Sequence, residues 1–489
     1  MTRRGGLGWL LLAVLLATSC GQIPIGAGRD PRHPMPKLAW QLCSGGFQCA
    51  TLHVPLDYTK PSDRTIAIAL IRKPAKVRSR RIGSVLLNPG GPGASGLDFL
   101  RNASEIFANL NTRFDLVSWD TRGVGESTPV KCLSDEQLDA YFALDTVLDD
   151  PAEKDAYVKA TKDFVAGCQR NSGFLLPFMD TDNTARDLDR IRAALGDAKL
   201  SYLGFSYGTY IGQWYAHLYP KHIRALVMDG VVDSTATGDT GIVRQTAGFD
   251  DNLQAFFSWC RATSSCAYGR SGDPERKLKT AMVRLDQTPL QVGGRQLTRS
   301  LAMEGVVLTM YDQSYWTYLD QGMTELDAGD GRLLLYLADF LHERGGDGRY
   351  SNLENGGNQG TECMDFHAPT DISAYDALGA DLAKASPIFG PVVQYAGLQC
   401  AFWPVRSRSV YERLTVRGAP PILLVGGTND PATPYAGAQS MTKQIPDSVL
   451  LTRNGNGHTS YATSVCARSA EDAYLIDLTL PAAGTVCSS

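Results

Sequence analysis

The 489-residue chain carries 47 Lys and Arg against 51 Asp and Glu, a net charge of −4, with no basic tract and no internal repeat. That balance offers nothing to a phosphate backbone and excludes nucleic acid as a partner. The body beyond the N-terminal segment, about 450 residues, exceeds the size at which one core stops growing, so a main domain plus a second unit is expected.

Arg3 and Arg4 precede an apolar run from Leu7 to Ala17 that ends in Thr18-Ser19-Cys20. The run is too short to span a bilayer as a helix and reads as a signal peptide over residues 1–20. Cys20, followed by Gly21 and Gln22, resembles the lipidated cysteine of bacterial lipoproteins. Export is therefore expected, either to the cell envelope as a lipoprotein or to the medium, with membrane contact only through an N-terminal lipid anchor. Residues 21–39, rich in proline, read as a flexible tether.

Strands are expected at Thr65–Ile71, Ile82–Asn88 and Phe114–Asp120, the second running into Pro89-Gly90-Gly91-Pro92-Gly93. Thr184–Leu195 places Leu188, Ile191 and Leu195 on one helical face, and Gly196 caps it. A short buried strand, Ser201–Phe205, then meets a helix, Thr209–Tyr219, through Gly204-Phe205-Ser206-Tyr207-Gly208. This is the nucleophile-elbow pattern: the two glycines relieve crowding at the sharp turn and leave the Ser206 hydroxyl at its tip. After the strand Ala225–Asp229, apolar strands alternating with amphipathic helices define an α/β fold, a mostly parallel sheet covered on both faces.

Helical sequence dominates residues 236–403, including Gly248–Cys260, Leu301–Leu319 and Leu333–Leu341, with a loose break expected at Asn355–Gly360. Sheet sequence resumes at Pro421–Gly426. The expected organisation is a core at 40–235, a helical cap at 236–403 inserted between nucleophile and acid, and a second core segment at 404–489. Asp430 follows the strand Ile422–Gly427, and His458 lies on a glycine-rich loop after Val449–Leu451. The order Ser206, Asp430, His458 is that of α/β-hydrolases. Asp430 would fix the imidazole, and His458 would take and return the serine proton. Oxyanion donors are expected at the N–H groups of Tyr207 and Gly91.

Ten cysteines lie beyond Cys20. Behind an export signal an even number argues for disulfides. Cys43–Cys49 and Cys260–Cys266 are near pairs, Cys466–Cys487 would staple the tail, and Cys132–Cys168 and Cys363–Cys400 are the simplest remaining pairs. With no close Cys-x-x-Cys and scattered histidines, neither a metal nor a cofactor is expected.

Over residues 40 to 487 the chain resembles the prolyl-iminopeptidase-related aminopeptidases of the α/β-hydrolase fold, and among them the secreted actinobacterial tripeptidyl aminopeptidases. The shared motifs are Asn88-Pro89-Gly90-Gly91-Pro92-Gly93-Ala94-Ser95-Gly96, Asp120 to Ser127, the Ser206 elbow, Asp430-Pro431-Ala432-Thr433-Pro434 and Gly457-His458. The resemblance implies a monomeric serine exopeptidase that cuts short peptides, of tripeptide length, from the free N-terminus of peptide substrates. It also implies a cap anion for the substrate's α-ammonium, with Glu362 and Asp365 as candidates. Asp120 and Arg122 are expected to hold the site's loops as an ion pair. Two other readings remain open: an esterase or lipase using the same triad, and a non-catalytic envelope binding protein.

Overall fold

The computed structural model of this chain describes residues 37–236, 238–366, 368–406 and 414–488. The signal peptide, most of the tether and Cys20 lie outside them. The strands are β1 (Gln41–Leu42), β2 (Gln48–Pro55), β3 (Thr65–Lys73), β4 (Gly83–Asn88), β5 (Phe114–Trp119), β6 (Leu200–Phe205), β7 (Ile223–Asp229), β8 (Leu290–Val292), β9 (Arg295–Leu297), β10 (Leu423–Asn429), β11 (Val449–Asn456) and β12 (Val486–Ser488).

All but β8 and β9 form one sheet in the order β1-β2-β3-β5-β4-β6-β7-β10-β11-β12. The pairings β1-β2, β2-β3 and β3-β5 are antiparallel. From β5 to β12 every neighbour is parallel. Parallel strands covered on both faces must be apolar at consecutive positions, because successive side chains point to opposite sides. Val85 and Leu87 accordingly pack with Leu203, Val227 and Val425 in one core. Leu86 points into the other, with Tyr202, Leu226 and Leu424. Burial on both faces fixes the register, and with it the position of each strand's C-terminal loop.

Between β7 and β10 the chain forms the cap. Its helices include Gly238–Ala262, Pro274–Gln287, Arg299–Met310, Trp316–Asp327, Arg332–Leu341 and Asn358–Asp365. They bury a core of their own around Leu253, Phe256, Leu278, Leu301, Val306 and Leu334. The run expected as one helix from Leu301 to Leu319 is two. Asp312 breaks it by accepting the Ser314 N–H at 2.8 Å, a local side-chain bond that competes with the helical ladder.

The break expected at Asn355–Gly360 is an ordered junction instead. Asn355 Oδ1 accepts the N–H groups of Cys132 and Leu133 at 2.9 Å each, and its Nδ2 donates to Leu133 O at 3.0 Å. Gly356 (φ 107°) packs so closely on the core that a Cβ there would lie 2.5 Å from Cys132 Sγ. Its glycine answers a close approach, as well as a backbone conformation that L-residues avoid. The five disulfides are the pairs read from the sequence: Cys43–Cys49, Cys132–Cys168, Cys260–Cys266, Cys363–Cys400 and Cys466–Cys487.

Asp120 and Arg122 do not pair with each other. Arg122, 1% exposed, forms a bidentate pair with Asp187, Nε to Oδ2 at 2.8 Å and Nη2 to Oδ1 at 2.7 Å. It also donates to the carbonyls of Leu56 and Phe178 at 3.1 and 3.0 Å. Tyr58 OH donates to Asp187 at 2.8 Å. Asp120 heads a separate network, accepting from Ser95 Oγ at 2.7 Å, Leu97 N at 3.1 Å and Glu126 N at 2.8 Å. Each residue holds its own set of loop contacts, through partners other than the expected one. A guanidinium with five carbonyl and carboxylate acceptors, the Pro55 carbonyl at 3.3 Å included, tolerates complete burial, whereas the same cation stripped of its counter-ion does not. Asp187→Ala should therefore lower unfolding stability by roughly 3–5 kcal/mol in a urea titration, and combining it with Arg122→Met should recover part of that loss.

Candidate active site

Ser206 stands between β6 and the Tyr207–Leu218 helix at φ 54°, ψ −124°, a conformation that costs an L-residue roughly 1–3 kcal/mol. Its neighbours show why glycine flanks it. A Cβ on Gly204 would lie 2.5 Å from Gly208 O, and one on Gly208 2.8 Å from Asn88 Oδ1. The turn is pinned by Ser206 N–H to Asp229 O at 2.9 Å and by Thr209 N–H to Ser206 O at 2.8 Å. Thr209 Oγ1 donates to the same carbonyl at 2.6 Å.

The glycine loop after β4 lies directly against this turn. Gly90, Gly91 and Gly93 all have positive φ, from 93° to 103°. A Cβ on Gly90 would sit 3.0 Å from Tyr207 N and 2.6 Å from Phe205 O. Tyr207 is the first residue of its helix, where an N–H has no carbonyl one turn back to receive it. Gly91, Ser206 and Tyr207 line one cavity, so both expected oxyanion donors belong to the serine's surroundings.

Asp430 and His458 extend the loops after β10 and β11. His458 Nδ1 lies 2.8 and 3.0 Å from the two oxygens of Asp430. That carboxylate, 2% exposed, also accepts the N–H groups of Thr433 at 2.8 Å, Ala432 at 3.1 Å and Thr459 at 3.2 Å. Such a donor set fixes its rotamer and keeps it acceptor-only toward the ring, so the Nδ1–H tautomer leaves Nε2 as the basic nitrogen. Nε2 is buried and makes no hydrogen bond among the described residues. The Ser206 hydroxyl is therefore not yet bonded to it, a looseness common in unliganded sites.

Two features of the histidine loop were not read from the sequence. His458 N–H donates to Tyr311 O at 2.7 Å, where the cap helix ends, and the Tyr311 ring stands edge-on to the imidazole at 5.6 Å. Buried Arg453 donates to the carbonyls of Asn456 and Gly457 from beneath. The first contact spans 147 positions and the second only three and four, and neither leaves a mark on local periodicity. The Asp312 that breaks the helix is the nearest sequence signal for the first.

The cavity measures about 640 Å³ and is walled by core loops on one side and cap helices on the other. Glu362 lines it, half-buried on the Asn358–Asp365 helix. Burial, reinforced by the neighbouring Glu354 charge, pushes its carboxyl up to about 7. Asp365 is not brought to the cavity. It is 3% exposed and accepts from Thr181 N at 2.7 Å, from Thr181 Oγ1 and from Tyr207 OH at 3.2 Å. Burial pushes it up to about 8. It packs under the elbow helix, so of the two expected anchors only Glu362 lines the cavity. Asn358, at the start of the same helix, donates its Nδ2 to Pro92 O at 3.1 Å and ties the cap to the glycine loop. This arrangement can perform nucleophilic acyl transfer: a serine, a buried base with an oriented tautomer, and main-chain donors where an oxyanion would form.

Residues 83–270 match the family described as alpha/beta hydrolase fold, and residues 386–487 match the one described as TAP-like protein. The chain is 35% identical to the serine protease Hip1 of Mycobacterium tuberculosis, over 98% of this chain and 97% of that protein. It is 32% identical to the tripeptidyl aminopeptidase of Streptomyces lividans, over 92% of this chain and 86% of that protein. A Mycobacterium tuberculosis protein named carboxylesterase B is 33% identical over 99% and 96%.

Ser206→Ala should remove covalent labelling by a fluorophosphonate while leaving the far-ultraviolet circular dichroism unchanged. Asp430→Asn presents the wrong tautomer and should lower kcat by roughly 10⁴-fold. Combined with His458→Ala it should add little to the single loss, since both act through one imidazole. A double mutant slowed by the product of the single effects would contradict the shared role.

Proposed function

The chain belongs to the α/β-hydrolase-fold family that contains the tripeptidyl aminopeptidases and the serine protease Hip1, and from that membership we propose that it is a serine exopeptidase releasing short peptides, tripeptides, from the free N-terminus of peptide substrates. The observation that carries this reading is the half-buried Glu362 carboxyl in the same cavity as Ser206, without a hydrogen bond or ion pair among the described residues.

Ser206 Oγ attacks the scissile carbonyl carbon while His458 Nε2 takes its proton, and Asp430 supports the imidazolium. The carbonyl oxygen takes the electron pair and is held by the N–H groups of Gly91 and Tyr207. Collapse breaks the C–N bond, and His458 returns the proton to the departing amine. Water, deprotonated by His458, then frees the acyl group from Ser206. Glu362 pairs with the α-ammonium of the acyl half, so the distance from carboxylate to serine sets how many residues leave together. The cap limits the cavity to a volume ordinary for a small ligand, which suits a short peptide better than a long chain.

Five disulfides among the described residues support an oxidising compartment. With the signal-like residues 1–20, they support export, with residues 21–39 as tether and Cys20 as lipid attachment point. No helix of the described residues is long and apolar enough to cross a membrane. The protein acts as a monomer on peptides, with core segments at 40–235 and 404–489 and a cap at 236–403. The carboxylesterase B relative favours one second reading, an esterase with the same triad.

Substrate choice separates the two. Free tripeptidyl substrates should exceed their N-acetylated counterparts in kcat/KM by roughly 1.5–3 kcal/mol, the worth of a charge-assisted hydrogen bond that the acetylated amide cannot make. Glu362→Gln should erase most of that preference. The Glu362 carboxyl ionises as pH rises through about 7, while a peptide α-amine loses its charge above roughly 8. The free-to-acetylated ratio should therefore climb from pH 6 to 7.5 in the wild type and stay flat in Glu362→Gln. Because His458 serves both substrates, its contribution cancels in the ratio. Equal rates on free and acetylated peptides, with faster ester turnover, would favour the esterase.

A further inference from the structure

Asp229, the last residue of β7, touches both halves of the site and does not line the cavity. Its backbone carbonyl accepts the N–H of Ser206 at 2.9 Å. Its side-chain Oδ2 accepts the N–H groups of Ser460 and Tyr461, each at 2.8 Å. Those residues follow His458 by two and three positions in the chain. The next residue, Gly230, has φ 73° and packs on the same loop. A Cβ there would lie 3.1 Å from His458 Cε1 and 3.0 Å from Thr459 Cγ2. One dipeptide thus abuts the nucleophile's main chain on one side and the imidazole with its loop on the other.

We propose that Asp229 is a positioning residue that sets the spacing between Ser206 and His458, its carbonyl holding the serine turn and its carboxylate holding the histidine loop. The inference rests on the reading of those two residues as nucleophile and base. Asp430 and Asp229 divide the task of holding the histidine. Asp430 orients the ring through Nδ1, whereas Asp229 fixes the main chain that carries the ring.

The side chain is completely buried, and burial pushes its carboxyl up to about 6, opposed by the two N–H donors and by the charges of His458 and Arg453. Glu471, from the Val465–Asp477 helix, lies nearby, and burial raises its carboxyl well above the ordinary range. A neutral Glu471 leaves Asp229 as the anion that the two N–H groups serve. A carboxylate receiving two main-chain donors makes short, charge-assisted bonds. Losing them frees the loop, and a displacement near 1 Å between reacting groups costs roughly 10²-fold in rate.

The test measures labelling of Ser206 by a fluorophosphonate, steady-state kinetics on a tripeptidyl substrate and the unfolding midpoint, in wild type, Asp229→Ala and Asp229→Asn. Wild-type protein that resists labelling would remove the nucleophile reading and this inference with it. Given labelling, Asp229→Ala should slow both labelling and kcat by roughly 10- to 100-fold, with KM within about twofold. Asp229→Asn should stay within about threefold of wild type, because its amide oxygen can accept the same two N–H groups. A folded alanine variant losing less than about threefold in kcat overturns the proposal, as does an asparagine variant as slow as alanine. Should the alanine variant not fold, the asparagine variant decides alone: a folded protein slowed by more than about threefold overturns the proposal.

Discussion

The backbone of Ser206 is held where an L-residue resists being, at φ 54°, and the rest of the site is arranged around keeping it there. Strain of that kind persists only when the surroundings over-determine it. Here they do so through Asp229 O, Thr209 N and Thr209 Oγ1, with side chains absent at Gly204 and Gly208. The parallel sheet supplies the frame. Because β6 is flanked by β4 and β7, the glycine loop after β4 and the carbonyl that ends β7 arrive beside the serine by topology alone. Strand carboxyl ends are where such sheets collect chemistry.

The cap is part of this geometry and not only its roof. Tyr311 O receives the His458 N–H, and Asn358 Nδ2 donates to the carbonyl of Pro92 in the glycine loop. One cap residue therefore steadies the His458 loop and another the glycine loop, although the two lie 47 positions apart in the chain. Gly93 makes the second contact possible, since a Cβ there would lie 2.7 Å from Asn358 N. The Asn355 junction fastens that part of the cap to the core at Cys132 and Leu133, a stretch that the Cys132–Cys168 disulfide holds within the core.

Much of this was legible in the sequence, for identifiable reasons. Strands buried on both faces announce themselves as continuous apolar runs, and β4, β5, β6 and β7 fall within a residue or two of their expected bounds. The Ser206 turn is legible because its two glycines answer steric demands that no other residue meets. What failed to show depended on partners distant in the chain. Arg122 was paired with Asp120, two residues away, but its counter-ion is Asp187, 65 residues on, reached because the Thr181–Leu195 helix packs across the loop. Asn355–Gly360 looked loose because asparagine and glycine mark both solvated turns and tight tertiary joints; only the partners distinguish them. Glu362 and Asp365 share a helix and the same carboxyl chemistry, and no local pattern says that one meets the cavity and the other Thr181 and Tyr207.

That last division shows how burial assigns different work to chemically similar groups. Asp365 is surrounded by donors yet so thoroughly desolvated that its carboxyl titrates near about 8, which leaves it neutral at pH 7 and able to join a chain of hydroxyls. Glu362 has no donor at all among the described residues, and burial with the Glu354 charge holds it near about 7, so at neutral pH it is balanced between its two forms. An ammonium entering the cavity supplies the missing opposite charge and must lower that pKa, since it favours the ionised form. By linkage the converse holds: binding below about pH 7 expels a proton, and the ligand's affinity falls as the solution is made more acidic. A carboxyl held at this point of balance is charged by its own ligand. On the proposed reading a neutral N-acetyl group gives it no such return, so the cavity would discriminate at the amine without holding a fixed buried anion while empty.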